Sequence, residues 1–153
     1  MVQRGFEFVT AYRDAGGKLP ERSTAHSAGY DLSAITDMIL PPGKVTLIPT
    51  GVKAFMPKNE FLLLALRSGL AAKYALSLIN GIGVIDSDYY NNPDNEGHIL
   101  IAVFNHSSEP VVLDKGTRIA QGIFLEYRRA DGDTERIEPY KERKGGFGST
   151  GNT

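Results

Sequence analysis

The sequence predicts an all-β fold, a β-sandwich or barrel that contains one short helix. Turn-forming sequences of Pro, Gly, Asn and Asp recur along the chain and separate short stretches rich in apolar, β-branched and aromatic residues. Many short strands with closely spaced turns are typical of sandwiches and barrels. The predicted strands are residues 6–12, 45–48, 52–56, 61–66, 99–104, 111–113 and 119–127.

Two neighbouring elements carry more specific expectations. Residues 61–66 are apolar at every position, which predicts a strand that is buried on both of its faces. Residues 68–74 predict the helix, because Ala71, Ala72 and Lys73 favour helical backbone and Ser68 is suited to the N-cap. This helix is expected to have about two turns.

Length and composition indicate one domain followed by a tail. The chain has 153 residues, of which 41% are apolar, and a chain of this size can form one core without disulfides or metal. From residue 142 onward the sequence becomes rich in Gly, Ser and Thr. We therefore expect a domain of residues 1–141 and a flexible C-terminal arm of residues 142–153.

Charge and missing residue types exclude several kinds of function. A formal net charge of -1 gives no basic field for binding polymeric nucleic acid. The absence of Cys excludes thiol catalysis, zinc–thiolate sites and disulfides, and the three His are too scattered to suggest a metal site. No apolar run approaches the roughly 20 residues that span a membrane. These features are compatible with a cytoplasmic protein that has no membrane partner.

Two segments near the middle of the chain could carry chemistry. Asp86 follows Gly83, Val84 and Ile85, so its carboxylate is expected at a strand end, where a rigid setting suits a general base. The alternative is a hairpin turn with solvated aspartates. Arg67 offers paired donors to a phosphate and precedes the N-terminus of the predicted helix, which favours anions. The alternative there is a helix cap beside a surface arginine.

The C-terminal arm is the third such segment. Its glycines allow the backbone to approach an anion closely, Arg143 and Lys144 supply positive charge, and Phe147 offers a ring that can stack on a base. The alternative is a disordered, soluble tail.

Taken together, five segments resemble the five motifs of the dUTPase family, in the family's order. They are residues 28–34, 67–71, 80–89, 118–121 and 145–151, and they span nearly the whole chain. The resemblance implies a jelly-roll β fold and a homotrimer in which C-terminal arms are exchanged and each active site is shared among subunits. It further implies hydrolysis of dUTP to dUMP and pyrophosphate, with Mg²⁺ bound to the triphosphate.

The third motif implies the nucleoside-binding and catalytic residues. Asp86 matches the aspartate that activates the attacking water, and Tyr89 matches the tyrosine under the deoxyribose that leaves no room for a 2′-hydroxyl. Asn80 matches the asparagine that reads uracil, and backbone groups at Gly83 and Ile85 complete the reading of the base in a narrow hairpin.

The remaining motifs imply the phosphate-binding residues. Ser68 and Gly69 match the phosphate-binding part of the second motif, with Arg67 in support. Gln121 matches the glutamine that contacts phosphate or the site water. Asp31 matches the aspartate that holds Mg²⁺ through water.

In the arm, the resemblance implies a closing role. Phe147 is expected to stack on uracil, and Ser149 and Thr150 are expected to bind the γ-phosphate, with Gly148 as a further substrate-binding residue. Arg143 is expected to clamp the phosphates.

The sequence departs from the family pattern at two places. Residues 90–97 form an insert after Tyr89 that resembles dUTPases of Gram-positive bacteria and their phages. Either it reshapes the site, with Tyr90 as a further aromatic wall, or it is a longer solvated hairpin. Arg143 lies one residue nearer to Phe147 than in many members, so Lys144 could share its role.

Two alternative functions stay open on the sequence alone. A dCTP deaminase has the same fold and also binds a nucleoside triphosphate. A nucleotide-gated module that binds a regulatory protein is the other, and the insert is its candidate surface.

Overall fold

The computed structural model describes residues 1–133 and 145–146 and confirms the predicted all-β class. In these residues the α-helix α1 (Ser68–Tyr74) is accompanied by two short 3₁₀ helices at Thr10–Tyr12 and Ser87–Tyr89. The strands are β1 Gly5–Phe8, β2 Tyr30–Ser33, β3 Met38–Leu40, β4 Val45–Pro49, β5 Val52–Phe55, β6 Glu60–Leu66, β7 Leu76–Leu78, β8 Gly83–Asp86, β9 Leu100–Asn105, β10 Val111–Leu113 and β11 Arg118–Glu126.

The strands form two larger sheets and two pairs, and every pairing is antiparallel. One sheet has the order β2-β11-β6-β8, and the other has the order β4-β9-β7. Strands β1 and β5 form one pair, and β3 and β10 form the other. The register of β11 against β2 shifts between Arg118 and Ala120, which marks a bulge next to the polar residues at that end of the sheet.

The core lies between the two larger sheets. Leu32, Leu62 and Ile119 enter it from the four-stranded sheet, while Ile48 and Ile101 enter it from the three-stranded sheet. Each of these side chains is at most 1% exposed. Full burial of one such side chain contributes about 1.5–3 kcal/mol, so the apolar residues of these strands hold the sheets together.

The prediction for β6 was wrong on one of its two faces. Leu62 and Leu64 are buried, whereas Phe61, Leu63 and Ala65, which alternate with them, are only half-buried. Cross-strand pairing places Leu63 beside Val84 of β8 and Ile123 of β11, and Phe61 beside Leu125. We call these apolar side chains the outer apolar face: Phe61, Leu63, Val84, Ile123 and Leu125.

Two other local predictions were also wrong. The strand predicted at residues 6–12 ends at Phe8, because the Val9 N–H donates to the Gly51 carbonyl oxygen and the chain then turns into a 3₁₀ helix. Ser68 was predicted as the N-cap of α1, but Arg67 occupies that position and its side chain makes no capping hydrogen bond. The predicted boundary between domain and arm, at residues 141 and 142, lies outside the described residues.

In the described part of the chain, none of the helices is both long and apolar enough to cross a membrane.

Candidate active site

A cavity of about 250 Å³ opens between the two larger sheets. The segment that was predicted to be a hairpin crosses between them, because β7 pairs with β9 and β8 pairs with β6. The prediction of a hairpin was therefore wrong. The chain turns at Gly81, which has a φ of 78°, and the Gly81 N–H donates to the Leu78 carbonyl oxygen. Because of this crossing, β7 and β8 are separated by open space instead of being joined by a ladder of hydrogen bonds.

Five of the predicted site residues line this cavity together: Asn80, Gly83, Ile85, Asp86 and Tyr89. Sequence reasoning did not identify the apolar part of the lining, which β6, β7 and β9 supply through Leu64, Leu78 and residues 100–102. These residues belong to ordinary strand patterns, and only the pairing of the sheets brings them to the cavity.

Two residues of β8 define the shape and the chemistry of the cavity. A Cβ atom at Gly83 would lie 3.0 Å from the Leu64 Cβ, so only glycine lets β8 pack this closely against β6. Asp86 is the last residue of β8, as predicted, and it is half-buried. A carboxylate at the rim of an apolar cavity is held in place by the strand and stays accessible to water.

Tyr89 is buried against the floor of the cavity and is only 6% exposed. Its hydroxyl donates to the His98 carbonyl oxygen at 2.7 Å and accepts a hydrogen bond from the Asn95 side-chain amide at 2.8 Å. Gly146 packs on the ring, since a Cβ atom there would lie 3.1 Å from the Tyr89 Cε1. The described part of the arm thus lies over the cavity. Five predicted site residues lie outside the described residues: Arg143, Phe147, Gly148, Ser149 and Thr150.

A second, polar cluster surrounds Asp31 at the other end of the four-stranded sheet. Asp31 of β2 lies opposite Gln121 of β11. The Asp31 carboxylate is 3.6 Å from the Arg67 Nε and 3.5 Å from the Arg118 Nη1. Sequence reasoning gave no role to Arg118, although it lies in the fourth motif, or to Gly29, where a Cβ atom would lie 2.5 Å from the Gln121 Oε1.

Ser68 and Gly69 lie in the first turn of α1 and are exposed. A Cβ atom at Gly69 would meet nothing within 4 Å in this chain. Packing in the chain therefore does not require a glycine there, whereas close approach of a ligand to the backbone would.

A single chain does not bring the cavity and the Asp31 cluster together. Asp86 lies opposite Phe61, while Gln121 lies opposite Ala65, four residues further along β6. At about 3.3 Å per residue, the position of Asp86 and the position of Gln121 are about 13 Å apart along β6. Phe61 and Ala65 lie on the same side of β6 as Leu63, so the outer apolar face lies between the two positions.

The insert, residues 90–97, is packed against the chain rather than solvated. Tyr90 packs edge-on against Phe55, and its hydroxyl donates to the Glu7 carboxylate at 2.9 Å. Tyr90 is not among the residues that line the cavity, so the predicted aromatic wall is not found. Because Tyr90 packs against the body of the protein, the predicted solvated hairpin is not found either. Gly97 has a φ of 90°, and a Cβ atom there would lie 2.9 Å from the Tyr89 carbonyl oxygen.

Glu96 ties the insert to the body of the protein. Its carboxylate accepts hydrogen bonds from the Thr10 hydroxyl at 2.7 Å and from the buried Lys53 ammonium at 3.0 Å. These two contacts, the Thr10 hydroxyl first, lower the pKa of Glu96 to about 2. Next to it, burial lowers the pKa of His98, whose Nε2 accepts a hydrogen bond from the Gly51 N–H at 2.9 Å.

The Glu96 contacts predict a loss of stability in acid. The pKa of Glu96 is lower in the folded than in the unfolded protein, so its contribution is complete above pH 4.5 and is lost as the pH falls towards 2. We expect the melting temperature of the wild type to fall more steeply between pH 5 and pH 3 than that of Glu96→Gln, measured at one protein concentration. Parallel curves for the two proteins would contradict this assignment.

Comparison with known proteins gives the family. A family model described as dUTPase matches residues 15–151. The chain belongs to the dUTPase family. A deoxyuridine 5′-triphosphate nucleotidohydrolase from Lactococcus lactis is 52% identical over 151 residues, which cover 99% of each chain. One from Desulfitobacterium hafniense is 43% identical over 147 residues, 91% of each chain.

The solved dUTPase structures extend this likeness to the fold. The crystal structure of a dUTPase from Streptococcus mutans is 48% identical and superposes with a TM-score of 0.80, covering 84% of this chain and 99% of that chain. A dUTPase variant from phage phi11 of Staphylococcus aureus has a TM-score of 0.71 at 20% identity, covering 85% of this chain and 94% of that chain, which shows the fold alone. The predicted dUTPase jelly-roll β fold is thereby confirmed.

The residues of this dUTPase fit a magnesium ion held largely by water and substrate. Within residues 1–133 and 145–146, no group of three or more His, Cys, Asp or Glu side chains could enclose a metal. Asp31 and Glu21 both line a polar cavity beside the Arg118 side chain. Mg²⁺ keeps several of its waters and commonly takes one or two carboxylates together with substrate phosphates, and Asp31 and Glu21 are the carboxylates available here.

Proposed function

We propose that this protein hydrolyses dUTP to dUMP and pyrophosphate. The observation that carries the proposal is the cavity between the sheets, in which a half-buried carboxylate, a buried tyrosine and a side-chain amide converge on one small apolar space. A concave apolar pocket with a few converging polar groups is the usual form of a small-molecule site. The family's activity and the names of the similar proteins support the same substrate.

In the proposed reaction, Asp86 is the general base. Its carboxylate accepts a proton from a water molecule as the water oxygen forms a bond to the α-phosphorus. The bond from phosphorus to the bridging oxygen breaks, and the bridging electrons leave with pyrophosphate. The strand end at Asp86 contributes by fixing the base relative to the bound nucleotide, because correct positioning removes much of the entropic cost of the attack.

Recognition of the deoxynucleoside is assigned to the other residues of the cavity. The Asn80 amide offers both a donor and an acceptor to the edge of uracil, and backbone groups at Gly83 and Ile85 complete the reading. The Tyr89 ring lies under the deoxyribose and excludes a 2′-hydroxyl by contact, so ribonucleotides are rejected without a dedicated hydrogen bond.

The triphosphate is assigned to the Asp31 cluster and the start of α1. Arg67, Ser68 and Gly69 bind phosphate oxygens, and Gln121 contacts phosphate or the attacking water. Asp31 holds Mg²⁺ through water. The ion, when bound, neutralises part of the triphosphate charge. A structural Mg(II) ion is described for the phi11 phage dUTPase variant.

A homotrimer with shared sites accounts for the separation of the two clusters. The outer apolar face between them includes Val84, which is 53% exposed, and Leu125, which is 40% exposed. Burial of such a face against other copies of the chain would be favourable, and it would bring the Asp86 cavity of one copy to the Asp31 cluster of another. The exchanged arm is proposed to close the site with Phe147 on uracil and with Ser149, Thr150 and Arg143 on the phosphates.

The test is a comparison of two substrates. We expect release of pyrophosphate from dUTP and no release of ammonia from dCTP, with both products measured in the same reactions with Mg²⁺. Ammonia from dCTP without pyrophosphate from dUTP would establish the deaminase alternative instead. Binding of a regulatory protein stays a prediction, and the insert offers it little free chemistry, because Tyr90, Asn92, Asn95 and Glu96 are engaged with the chain's own groups.

A further inference from the structure

We infer that Asn95, in the insert, is a positioning residue that fixes the Tyr89 ring and thereby sets the preference for deoxyribonucleotides over ribonucleotides. The inference rests on the proposed role of Tyr89 beneath the sugar. It assigns a function to the insert, for which the proposed roles of the third-motif residues in catalysis give no reason. Asn95 itself contacts the tyrosine hydroxyl and not the cavity.

The direction of each hydrogen bond in this network is determined by its partners. The Gly97 N–H can only donate, so the atom of Asn95 that accepts from it at 3.1 Å is the Oδ1. The Nδ2 therefore faces Tyr89 and donates to its hydroxyl oxygen at 2.8 Å. The His98 carbonyl oxygen can only accept, so the tyrosine hydroxyl donates to it at 2.7 Å. The hydroxyl is thus held by one donor and one acceptor.

Asn92 holds the same tyrosine from its backbone side. Its side chain is buried, with a residue exposure of 5%. The Nδ2 of Asn92 donates to the Tyr89 carbonyl oxygen at 2.8 Å and to the Asn95 Oδ1 at 2.7 Å. The Oδ1 of Asn92 accepts from the backbone N–H groups of Asp94 and Asn95, both at 3.1 Å. The insert therefore holds both the main chain and the phenol of Tyr89.

The insert is also anchored at Glu96, by contacts that do not involve Tyr89. Glu96 accepts hydrogen bonds from the Thr10 hydroxyl at 2.7 Å and from the Lys53 Nζ at 3.0 Å. Because Lys53 belongs to β5, the insert is connected to a strand of the body. A brace anchored in this way can resist displacement of the phenol, which a mobile loop could not.

This arrangement bears on sugar selectivity because exclusion by contact depends on the ring staying in place. A misplacement of about 1 Å can change a rate about 100-fold, so a small shift of the Tyr89 ring is enough to weaken the exclusion of a 2′-hydroxyl. Loss of the Asn95 amide removes the hydrogen bond that the hydroxyl accepts and leaves the one that it donates to the His98 carbonyl oxygen. One hydrogen bond of this kind corresponds to a factor of about three to ten.

The experiment compares kcat/KM for dUTP and UTP across a double-mutant cycle of Asn95→Ala, Tyr89→Phe and the combined variant. We expect each single variant to lower the preference for dUTP by about three- to tenfold, mainly through a lower KM for UTP. The combined variant should be no less selective than Tyr89→Phe alone, because Tyr89→Phe already removes the contact with Asn95 together with the one to the His98 carbonyl. A purely structural role for Asn95 would give effects that add.

Asn91→Gly is the matched control, since it removes the hydrogen bond that the Asn91 Oδ1 accepts from the Lys53 Nζ at 2.6 Å and keeps both contacts of Glu96. Asn91 has a φ of 55°, which glycine adopts readily, so the backbone is expected to tolerate the change. The selectivity of this variant should equal that of the wild type. Melting temperatures of all variants report whether the fold is retained.

Tyr89→Ala separates failure of the inference from failure of the proposed sugar contact. If Tyr89→Ala lowers the preference for dUTP but Asn95→Ala leaves it unchanged, the inference is overturned while the role of Tyr89 stands. If Tyr89→Ala leaves the preference unchanged, the proposed role of Tyr89 fails, and with it the function inferred for Asn95. An effect of Asn95→Ala that persists undiminished in the Tyr89→Phe background also overturns the inference.

Discussion

Replacement of Asp86 by asparagine is expected to lower kcat for dUTP by about 10²- to 10⁴-fold, which is the range that a general base contributes. The substitution keeps the size of the side chain and removes only its ability to accept a proton from water. Because Asp86 ends a strand that β6 holds, the cavity itself should keep its shape. The affinity for a non-hydrolysable dUTP analogue, measured by calorimetry, should change little.

Asp88→Asn is the matched control for this substitution. Asp88 lies two residues further on, in the 3₁₀ helix, and is not among the residues that line the cavity. It should retain nearly the kcat of the wild type. Turnover that survives in Asp86→Asn, or is lost equally in both variants, would show that Asp86 is not the base.

Mixing two impaired variants is expected to restore activity if each site is shared between subunits. Arg67→Ala removes a charged phosphate contact and should lower kcat/KM by about 10- to 100-fold. When Asp86→Asn and Arg67→Ala subunits are refolded together in equal amounts, some sites receive an intact Asp86 from one subunit and an intact Arg67 from another. Random assembly makes this true of about one quarter of the sites. The activity of the mixture should therefore greatly exceed the average of its components.

The matched control mixes Asp86→Asn with Tyr89→Ala. Both residues line the cavity of a single chain, so no arrangement of these subunits supplies an intact Asp86 and an intact Tyr89 to the same cavity. This mixture should show only the average of its two components. Equal behaviour of the two mixtures would contradict the shared site. Sedimentation of the wild type at the assay concentration measures the oligomeric state directly.

The strands with the strongest apolar patterns could be predicted from the sequence. Residues 111–113 form β10 as expected, and the apolar run at residues 61–66 forms most of β6. The strand predicted at residues 6–12 was too long, because a hydrogen bond from Val9 to the distant Gly51 determines where the strand ends. A pattern of neighbouring residues holds no information about such a contact.

The candidate site was predicted in part for a related reason. Asp86 was found because a carboxylate after glycine and apolar residues has recognisable chemistry, whereas Asn80 and Tyr89 were found only through the resemblance to the family's third motif. Leu64 and Leu78 were not, since an apolar strand residue looks the same in a core and in a cavity wall. Neither expectation for the insert, an aromatic wall or a solvated hairpin, anticipated that the polar Asn92 side chain would be buried, with its amide fully hydrogen-bonded.

The crossing of the chain between the two sheets has a consequence for how substrate and fold depend on each other. One wall of the cavity belongs to β8 and the other to β9, and these strands are in different sheets. A nucleoside bound there touches both layers, so it joins them as core side chains do. Binding should then raise the resistance of the whole domain to unfolding. Conversely, a substitution deep in the core, far from any substrate atom, can alter affinity by changing the spacing of the layers.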